Sequence, residues 1–260
     1  MQQETNIVME DIVETSSDVK TAMPTVELMV ITPNGEDVIE RACRTCYLSW
    51  HRYDPPASTE ELIKKVMRHG HFSVLEHAVA TFRVKGGSRV FTHEMVRHRL
   101  VSPSQESQRY VCYADRPGDP DAKKFKDRPR KKTRNYDVVV PPSIDSADFG
   151  NGTSPREAYL EMCDRQFSLY ERLLTAGVPP EDARYILPNA TTSEIVLTGN
   201  FREWRHVCKL RTSPQAHWEI RMVMMGILKI MKKEAPNTFH DFVLDEENMT
   251  AHQTDPDIKD

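Results

Sequence analysis

The chain has 260 residues, of which 28% are charged and 38% hydrophobic, and its 35 Lys and Arg against 39 Asp and Glu leave a formal net charge of −4. This composition is typical of a folded globular protein and excludes a chain too polar to form a core. No apolar run reaches the ~18–20 residues of a membrane span, and the start of the chain lacks the features of a signal peptide. The five scattered cysteines exclude a disulfide scaffold and favour a reducing, cytoplasmic location.

The predicted helices and strands are interspersed along the chain. In chain order they are a strand at 26–32, helices at 36–47 and 58–69, a strand at 78–85, a helix at 88–99, a strand at 138–140, helices at 154–176 and 181–186, a strand at 194–198, and helices at 200–210 and 215–233. Ser58 with Glu61 three residues later predicts a capping box. Ser154 and Pro155 predict another helix start, and Gly177 its end. No regular βαβ repeat is present, so we expect an α+β fold with a mixed sheet flanked by helices.

Charge is unevenly distributed, which suggests the domain limits. Residues 1–23 and 245–260 are acidic and are expected to be poorly ordered tails of a single domain over 24–244. That domain contains a basic loop insertion at 114–136, in which 116–134 carry nine cations and three acids. Clustered cations can bind nucleic acid, but Phe125 is the only aromatic residue of 116–134 that bases could stack on. A solvated loop is therefore the favoured interpretation.

The densest polar cluster of the sequence lies at 97–110, with three Arg, one His and three Ser. Arginine forks match phosphate geometry and hydroxyls add donors, so the cluster is typical of an anion site. Glu94 and Arg97 are spaced i,i+3 on the preceding helix and could meet one ligand together. The alternative is a charged helix end whose cations interact with the helix dipole.

A second cluster lies on the helix predicted at 200–210. Four residues fall on one stripe at ~100° per residue: Trp204, Val207, Cys208 and Arg211. Arg211 therefore continues an apolar face, where its cation could point into a pocket or extend to the surface. Arg202 and His206, spaced i,i+4, lie side by side on another face.

Other polar residues are less specific. Arg184 is an isolated cation close to a helix end. His69, His71 and His77 lack the spacing of a known zinc motif, so no metal site is expected. Cys43 and Cys46 form an isolated CxxC that does not follow a strand, so structural thiols are favoured over a redox pair. Neither common Gly-rich phosphate loop occurs.

Taken together, five segments resemble the flavin-dependent thymidylate synthases. The hallmark of that family is Arg97-His98-Arg99, then seven residues, then Ser107, and, after one more position, Arg109-Tyr110. The other matching segments are RTCYLSW at 44–50, GHFSVLEH at 70–77, ARYILPNATTSEIVLTGNFREWRH at 183–206 and LRTSPQAHWEIR at 210–221. The resemblance extends over roughly residues 25–240.

The resemblance implies an activity and an assembly. It implies methylation of dUMP to dTMP by a catalytic domain, with 5,10-methylenetetrahydrofolate as carbon donor, FAD as cofactor and NADPH as its reductant, without a cysteine nucleophile. It also implies a homotetramer whose active sites are shared between subunits. Binding of nucleic acid or of a membrane is not implied.

The resemblance also implies residue roles. Arg211 resembles the arginine that activates the pyrimidine, and His71 resembles a residue that stacks near the flavin and folate rings. The residues implied in dUMP binding are Glu94, Arg97, Gln105, Glu106, Ser107, Gln108, Arg109, Arg184 and Arg211. Those implied in FAD binding are Ser73, Arg97, His98, Arg99, Gln105, Asn200, Arg202 and His206.

These roles agree with the chemistry of the side chains. Guanidinium groups can bind phosphates where Gly-rich loops are absent, and a cation beside a uracil ring favours its electron-rich, N3-deprotonated form. The sequence departs from the common family pattern at Ser104, Gln105 and Gln215, which affects individual contacts rather than the reaction. Two alternatives remain: a nucleic-acid-binding protein that uses 116–134, and a family member that binds nucleotide or flavin without catalysis.

Overall fold

A computed structural model describes residues 19–111 and 136–254, which form parts of two compact units. We call Met23–Glu106 with Ser193–Asp260 the sheet unit, and Met1–Ala22 with Ser107–Thr192 the helical unit. Helices and strands are interspersed, which confirms the predicted α+β class. The basic segment 116–134 lies outside the described residues, and so does most of the N-terminal acidic segment. The boundaries of a single domain over 24–244 stay a prediction.

The described elements include the predicted helices and strands in the predicted order, together with a short helix at 142–145 and strands at 20–21, 102–105, 242–245 and 250–253 that were not predicted. The strands are β1 (Lys20–Thr21), β2 (Thr25–Ile31), β3 (Val79–Ser88), β4 (Ser102–Gln105), β5 (Asp137–Val138), β6 (Thr192–Asn200), β7 (Phe242–Asp245) and β8 (Thr250–Gln253). The α-helices are α1 (Gly35–Tyr47), α2 (Ala57–Arg68), α3 (Arg89–Met95), α4 (Pro142–Asp145), α5 (Pro155–Thr175), α6 (Pro180–Ala183), α7 (Phe201–Arg211) and α8 (Trp218–Glu234). Short 3₁₀ helices lie at Trp50–Arg52, Phe72–His77 and Arg184–Ile186.

The sheet unit is built on a four-stranded sheet in the order β2-β3-β6-β4. β2 pairs antiparallel with β3, and β4 pairs antiparallel with β6. Alternate residues of β3 are fully buried, as the period of a strand requires: Ala80, Phe82 and Val84. Trp204 of α7 packs edge-on against Phe82 and donates its indole N–H to the Ala80 carbonyl at 3.0 Å. The sheet and α7 therefore share one core.

The junction between β3 and α3 sets the position of the candidate site. The strand extends to Ser88, beyond the predicted end at Gly86-Gly87, and the Ser88 hydroxyl accepts from the Phe91 N–H to cap α3. A Cβ on Gly87 would lie 2.7 Å from the Phe91 ring, so this close approach requires glycine. The predicted helix over 88–99 ends at Met95. Residues 96–99 are therefore loop residues.

The predicted capping box at Ser58 is wrong. α2 begins at Ala57, after Pro56, and the Ser58 hydroxyl donates to the buried carboxylate of Glu40 at 2.7 Å. Thr59 donates to the other oxygen of Glu40, and Arg44 pairs with Glu40 at 2.8 Å. A buried acceptor on α1 thus takes the hydroxyl, because a buried carboxylate without donors is more costly than an uncapped exposed helix end.

The expectation of a poorly ordered C-terminal end is wrong for residues 242–253. These residues form the antiparallel hairpin of β7 and β8. Phe242 and Ala251 are buried in the core of the sheet unit, while the Asp245 carboxylate accepts from Asn248 in the turn. Two apolar anchors and a turn residue therefore order a segment whose net charge suggested a tail.

The helical unit has its own core around α5. Ser154 accepts from the Glu157 N–H, and Pro155 begins the helix, as predicted. Tyr136 stacks on Phe167 with ring centroids 4.0 Å apart. β1 and β5 pair in parallel in this unit. Among the described residues, no helix has both the length and the apolar character needed to cross a membrane.

Candidate active site

The candidate site of the sheet unit centres on Arg211, the last residue of α7. Its Nε donates to Nε2 of His98 at 2.9 Å, and its Nη1 donates to Oε2 of Glu94 at 3.0 Å. Oε1 of Glu94 lies 3.3 Å from Nδ1 of His217, the residue that precedes α8. We call Glu94, His98, Arg211 and His217 the Arg211 cluster. Three of the four were predicted from sequence, and the structure brings the cluster together from two separate stretches of the chain, 94–98 and 211–217.

His98 is neutral in this cluster. Burial and the nearby positive charges of Arg211, His206 and Arg97 lower its pKa from 6.5 to about 4. A neutral imidazole has one acceptor nitrogen, and here Nε2 accepts from Arg211, which assigns the proton to Nδ1. His98 therefore orients the guanidinium without competing with it as a second cation.

The arginines that flank His98 differ from it in exposure. Arg97 and Arg99 are both exposed, and neither forms an ion pair within residues 19–111 and 136–254. A guanidinium that no protein carboxylate neutralises is available to a bound anion. The loop after α3 therefore presents two cations on either side of a buried neutral histidine.

Further predicted residues lie at the start of α7 and in the 3₁₀ helix Phe72–His77. Asn200 caps α7 by accepting from the Glu203 N–H at 2.8 Å. Arg202 pairs with Glu76 of that 3₁₀ helix at 2.6 Å, with both side chains about half exposed. His206, one turn after Arg202, is exposed. Ser73 is exposed on the 3₁₀ helix, and His71 directly precedes that helix.

Strand β4 positions two more predicted residues. Gln105 donates to the Ser193 hydroxyl at 3.2 Å, so its side chain is tied to the strand β6 region. Glu106 accepts from the Glu194 N–H at 3.2 Å and also donates its own N–H to the Glu194 carbonyl. These hydrogen bonds hold Gln105 and Glu106, the two residues that precede Ser107, against β6.

The remaining predicted residues belong to the helical unit. Ser107 begins a turn and accepts from the Arg109 N–H at 3.3 Å, Gln108 is buried, and the Arg109 guanidinium lies 5.4 Å from the Tyr110 ring centroid. Arg184 donates from Nε to the Glu181 carbonyl at 3.1 Å. The meeting of Arg109 and Arg184 with Arg97 and Arg211 at one ligand stays a prediction.

Comparisons with known proteins show the family of the chain. Residues 27–237 match the family described as thymidylate synthase complementing protein. A flavin-dependent thymidylate synthase of Mycolicibacterium gilvum is 36% identical over 236 residues, which cover 85% of each chain. Proteins of the same name from Corynebacterium diphtheriae and Geobacter sulfurreducens are 36% and 34% identical, over 80% and 83% of this chain and 79% and 85% of theirs. The chain belongs to the flavin-dependent thymidylate synthase family.

The residues present fit the FAD that this family uses. Unpaired, exposed guanidinium groups at Arg97 and Arg99 suit the two negative charges of the FAD pyrophosphate. Arg202 can exchange Glu76 for a phosphate at little cost, because an exposed ion pair contributes at most about 1 kcal/mol. The donor set on α7 and in the loop after α3 is thus that of an anion-binding surface built from side chains.

Two polar residues of the sheet unit, Glu219 and His217, were not predicted from the sequence. Glu219 is buried and accepts from both the N–H and the hydroxyl of Ser88 at 2.6 Å, which ties α8 to the start of α3. Burial raises the pKa of Glu219. His217 was also missed, although both residues lie in the matched segment 210–221. A histidine just before a helix and an acid in its first turn are the local signals that could have drawn attention to them.

The described cysteines agree with a reaction that needs no thiol nucleophile. Burial raises the pKa of Cys43 to about 11, that of Cys163 to about 11 and that of Cys208 to about 12, so these thiols stay protonated at neutral pH. Cys46 is exposed, and the four described cysteines are free. Within the described residues no group of three or more His, Cys, Asp or Glu could hold a metal ion.

Proposed function

We propose that thymidylate synthesis by this chain takes place at the Arg211 cluster, with Arg211 as the residue that activates the pyrimidine. The chain is a flavin-dependent thymidylate synthase, which converts dUMP to dTMP with methylenetetrahydrofolate as carbon donor, FAD as cofactor and NADPH as reductant. What remains to be assigned is the role of each residue.

The assignment rests on the hydrogen bonds that orient the Arg211 guanidinium. A guanidinium has five N–H donors, and Arg211 directs three of them at Nε2 of His98, Oε2 of Glu94 and, at 3.4 Å, the Glu94 carbonyl. Two donors stay available for a ligand. The Arg211 side chain is 20% exposed, which leaves it accessible while partly shielding its charge from water.

This geometry supports a chemical role in the reaction. An oriented guanidinium that donates to a carbonyl oxygen of uracil stabilises negative charge on the ring, which lowers the pKa of N3 and increases electron density at C5. Bound FAD, once reduced by NADPH, supplies the hydride that completes the methyl group. The chain itself provides position and electric field, so a thiol nucleophile is not needed.

The other predicted residues complete the proposed site. Arg97, His98, Arg99, Ser73, Gln105, Asn200, Arg202 and His206 bind FAD, and His71 stacks near its ring and that of the folate. Glu94, Arg97, Gln105, Glu106, Ser107, Gln108, Arg109 and Arg184 bind dUMP together with Arg211. As the resemblance to the family implies, we also propose a homotetramer in which subunits share each site. The sparse cysteines favour a cytoplasmic location.

Substitution of Arg211 tests the assignment. We expect Arg211→Ala to reduce tritium release from 5-tritiated dUMP by at least 100-fold, because one preorganised charged donor contributes about 2.7–4 kcal/mol to a transition state. FAD absorbance of the purified variant should equal that of the wild type. Arg211→Lys keeps the charge but loses the fork, and should recover only part of the activity.

The control is Arg165→Ala, which removes an exposed arginine of α5 that pairs with Glu161 and should leave turnover unchanged. Near-normal tritium release by Arg211→Ala would remove Arg211 from the activating role. Wild-type protein that binds FAD and dUMP but releases no tritium would instead support the alternative of a family member without catalysis.

A further inference from the structure

A second concave site lies in the sheet unit beside α1 and α2. It is a cavity of about 630 Å³, a volume within the range of small-molecule pockets. Residues of α2 from Ser58 to Val66 line it, together with His69 after that helix, the end of α1 and the 3₁₀ helix Trp50–Arg52. The half-buried Leu62 and the buried Val66 give it an apolar floor. We call it the α2 cavity.

The rim of the α2 cavity carries positive charge. Arg52 and Lys65 are exposed, line the cavity and form no ion pair within the described residues. Arg44 also lines it, but the buried carboxylate of Glu40 neutralises its charge. Glu61 is the one acid among the lining residues, and it is exposed. The cavity therefore offers two available cations against one carboxylate, above an apolar surface.

Two histidines connect the α2 cavity with the proposed flavin site. His69 and His71 both line it, with ring centroids 6.1 Å apart. His69 directs Nδ1 at the Lys65 carbonyl at 2.7 Å, so Nε2 is the nitrogen left for a ligand. His71 is the residue proposed to stack near the flavin and folate rings. A molecule whose ring lies against His71 could thus extend its far end into the cavity.

We propose that the α2 cavity binds the anionic end of one of the two co-substrates, and that Arg52 and Lys65 recognise its charge. This inference rests on the proposed function, because it takes His71 as a neighbour of the rings. Both co-substrates have the required chemistry, a flat or amide-containing stem followed by anions. In the folate these anions are the carboxylates of a glutamyl tail, and in NADPH they include the 2′-phosphate.

Neighbouring lysines provide a matched pair of variants. Lys65 lines the α2 cavity, whereas Lys64, the residue before it, pairs with Glu60 at 2.5 Å and is absent from the lining. Lys65→Ala and Lys64→Ala remove the same charge from the same helix, but only Lys65 lines the cavity. Arg52→Ala tests the cation of the 3₁₀ helix, and Glu61→Gln tests the effect of the one acid.

The measurement is calorimetric titration of the FAD- and dUMP-loaded protein with two pairs of ligands. One pair is NADP⁺ and NAD⁺, which differ by the 2′-phosphate; the other is pteroyl-pentaglutamate and pteroyl-monoglutamate. We expect Lys65→Ala and Arg52→Ala to weaken binding of the more anionic member of one pair by about three- to tenfold, and binding of its less anionic partner by a smaller factor. The affected pair identifies the co-substrate.

Further results bear on the same proposal. Glu61→Gln should tighten binding of the same anionic ligand about two- to threefold, and the effects of all three variants should shrink in high salt. Equal affinities in wild type, Lys65→Ala and Lys64→Ala for all four ligands would overturn the proposal. So would an equal loss for both members of a pair, since recognition of the additional anions affects the more anionic member more strongly. The proposed function is judged separately by tritium release from the wild type, so the two can fail independently.

Discussion

At the residue scale, His98 shows how the surroundings of a side chain decide its role. Its ring is buried close to Arg211, His206 and Arg97, and burial together with the electrostatic effect of these residues lowers its pKa to about 4. An ordinary histidine would be partly protonated in mildly acidic solution and would then repel Arg211. Neutral His98 instead accepts a hydrogen bond from it, and the two form one unit.

The lowered pKa predicts a dependence of stability on pH. Between pH 6.5 and about 4 the unfolded chain binds a proton at His98 that the folded chain does not, so the folded state loses stability as the pH falls through this window. At pH 5 the loss should be about 2 kcal/mol relative to neutral pH. In wild type the free energy of unfolding, measured in urea, should therefore fall by this amount between neutral pH and pH 5. In His98→Gln this contribution should be absent, so the free energy should fall by about 2 kcal/mol less. Identical pH profiles would contradict a depressed pKa, because all other titrating groups are common to both proteins.

A second residue-scale feature, the ion pair of Arg205 and Asp241, stabilises the core of the sheet unit. The guanidinium donates to both carboxylate oxygens at 2.6 and 2.8 Å and to the Thr238 carbonyl, and both side chains are at most 2% exposed. Removing one partner leaves a buried charge without compensation.

We expect Asp241→Asn to reduce the free energy of unfolding by about 3–5 kcal/mol, as measured in urea. Arg165→Ala, which breaks the exposed pair with Glu161, should change it by less than about 1 kcal/mol. A similar small effect in both variants would show that water reaches Arg205 and compensates its charge.

At the element scale, α7 carries both structural and proposed binding residues. One face is fully buried through Trp204, Val207 and Cys208, and Arg211 extends this stripe at the helix end. Asn200 at the start of the helix has two roles to separate, since it caps α7 and is also predicted to contact FAD. Its side-chain oxygen is used by the cap, which leaves the amide N–H groups for a phosphate.

Two substitutions of Asn200 separate these roles. Asn200→Ala removes both, and we expect it to lower the free energy of unfolding by about 1 kcal/mol and to weaken FAD binding. Asn200→Asp keeps the cap but replaces the amide by a carboxylate, so stability should be retained while the FAD dissociation constant, from flavin fluorescence, rises several-fold. Unchanged FAD affinity in Asn200→Asp would confine Asn200 to the cap.

At the scale of the whole molecule, the residues proposed to bind dUMP come from both compact units. Arg211, Glu94 and Arg97 belong to the sheet unit, while Arg109 and Arg184 belong to the helical unit. If subunits share each active site, a residue from one unit can complete the site of another protomer.

Mixing inactive variants tests this sharing. Arg211→Ala and Arg184→Ala should each be inactive alone. If the two arginines of one site come from different subunits, unfolding and refolding an equal mixture should restore about a quarter of the wild-type tritium release, because random assembly pairs two intact residues at about that fraction of sites. Size-exclusion chromatography with light scattering should show a tetramer. No recovery in a mixed tetramer would place both arginines of a site in one subunit.

The sequence predictions succeeded where the deciding interactions involve residues close together in the chain. The limits of α5 follow from Ser154 and Pro155, whose effects act within one helical turn, and the structure has both. The capping box at Ser58 was wrong because Glu40, 18 residues earlier, takes the hydroxyl. The hairpin of β7 and β8 was missed because net charge concealed the apolar residues that anchor it.

The sequence by itself determined the family and hence the reaction, because five segments, among them Arg97-His98-Arg99 with Ser107 and Arg109-Tyr110, have the residues and spacings of that family. Only the tertiary structure decided how Arg211 is used, since its partners His98 and Glu94 lie 113 and 117 residues away along the chain. Local sequence patterns do not show which residues so far apart in the chain will meet. Burial and the charges gathered around His98, which hold it neutral, likewise exist only once the chain has folded.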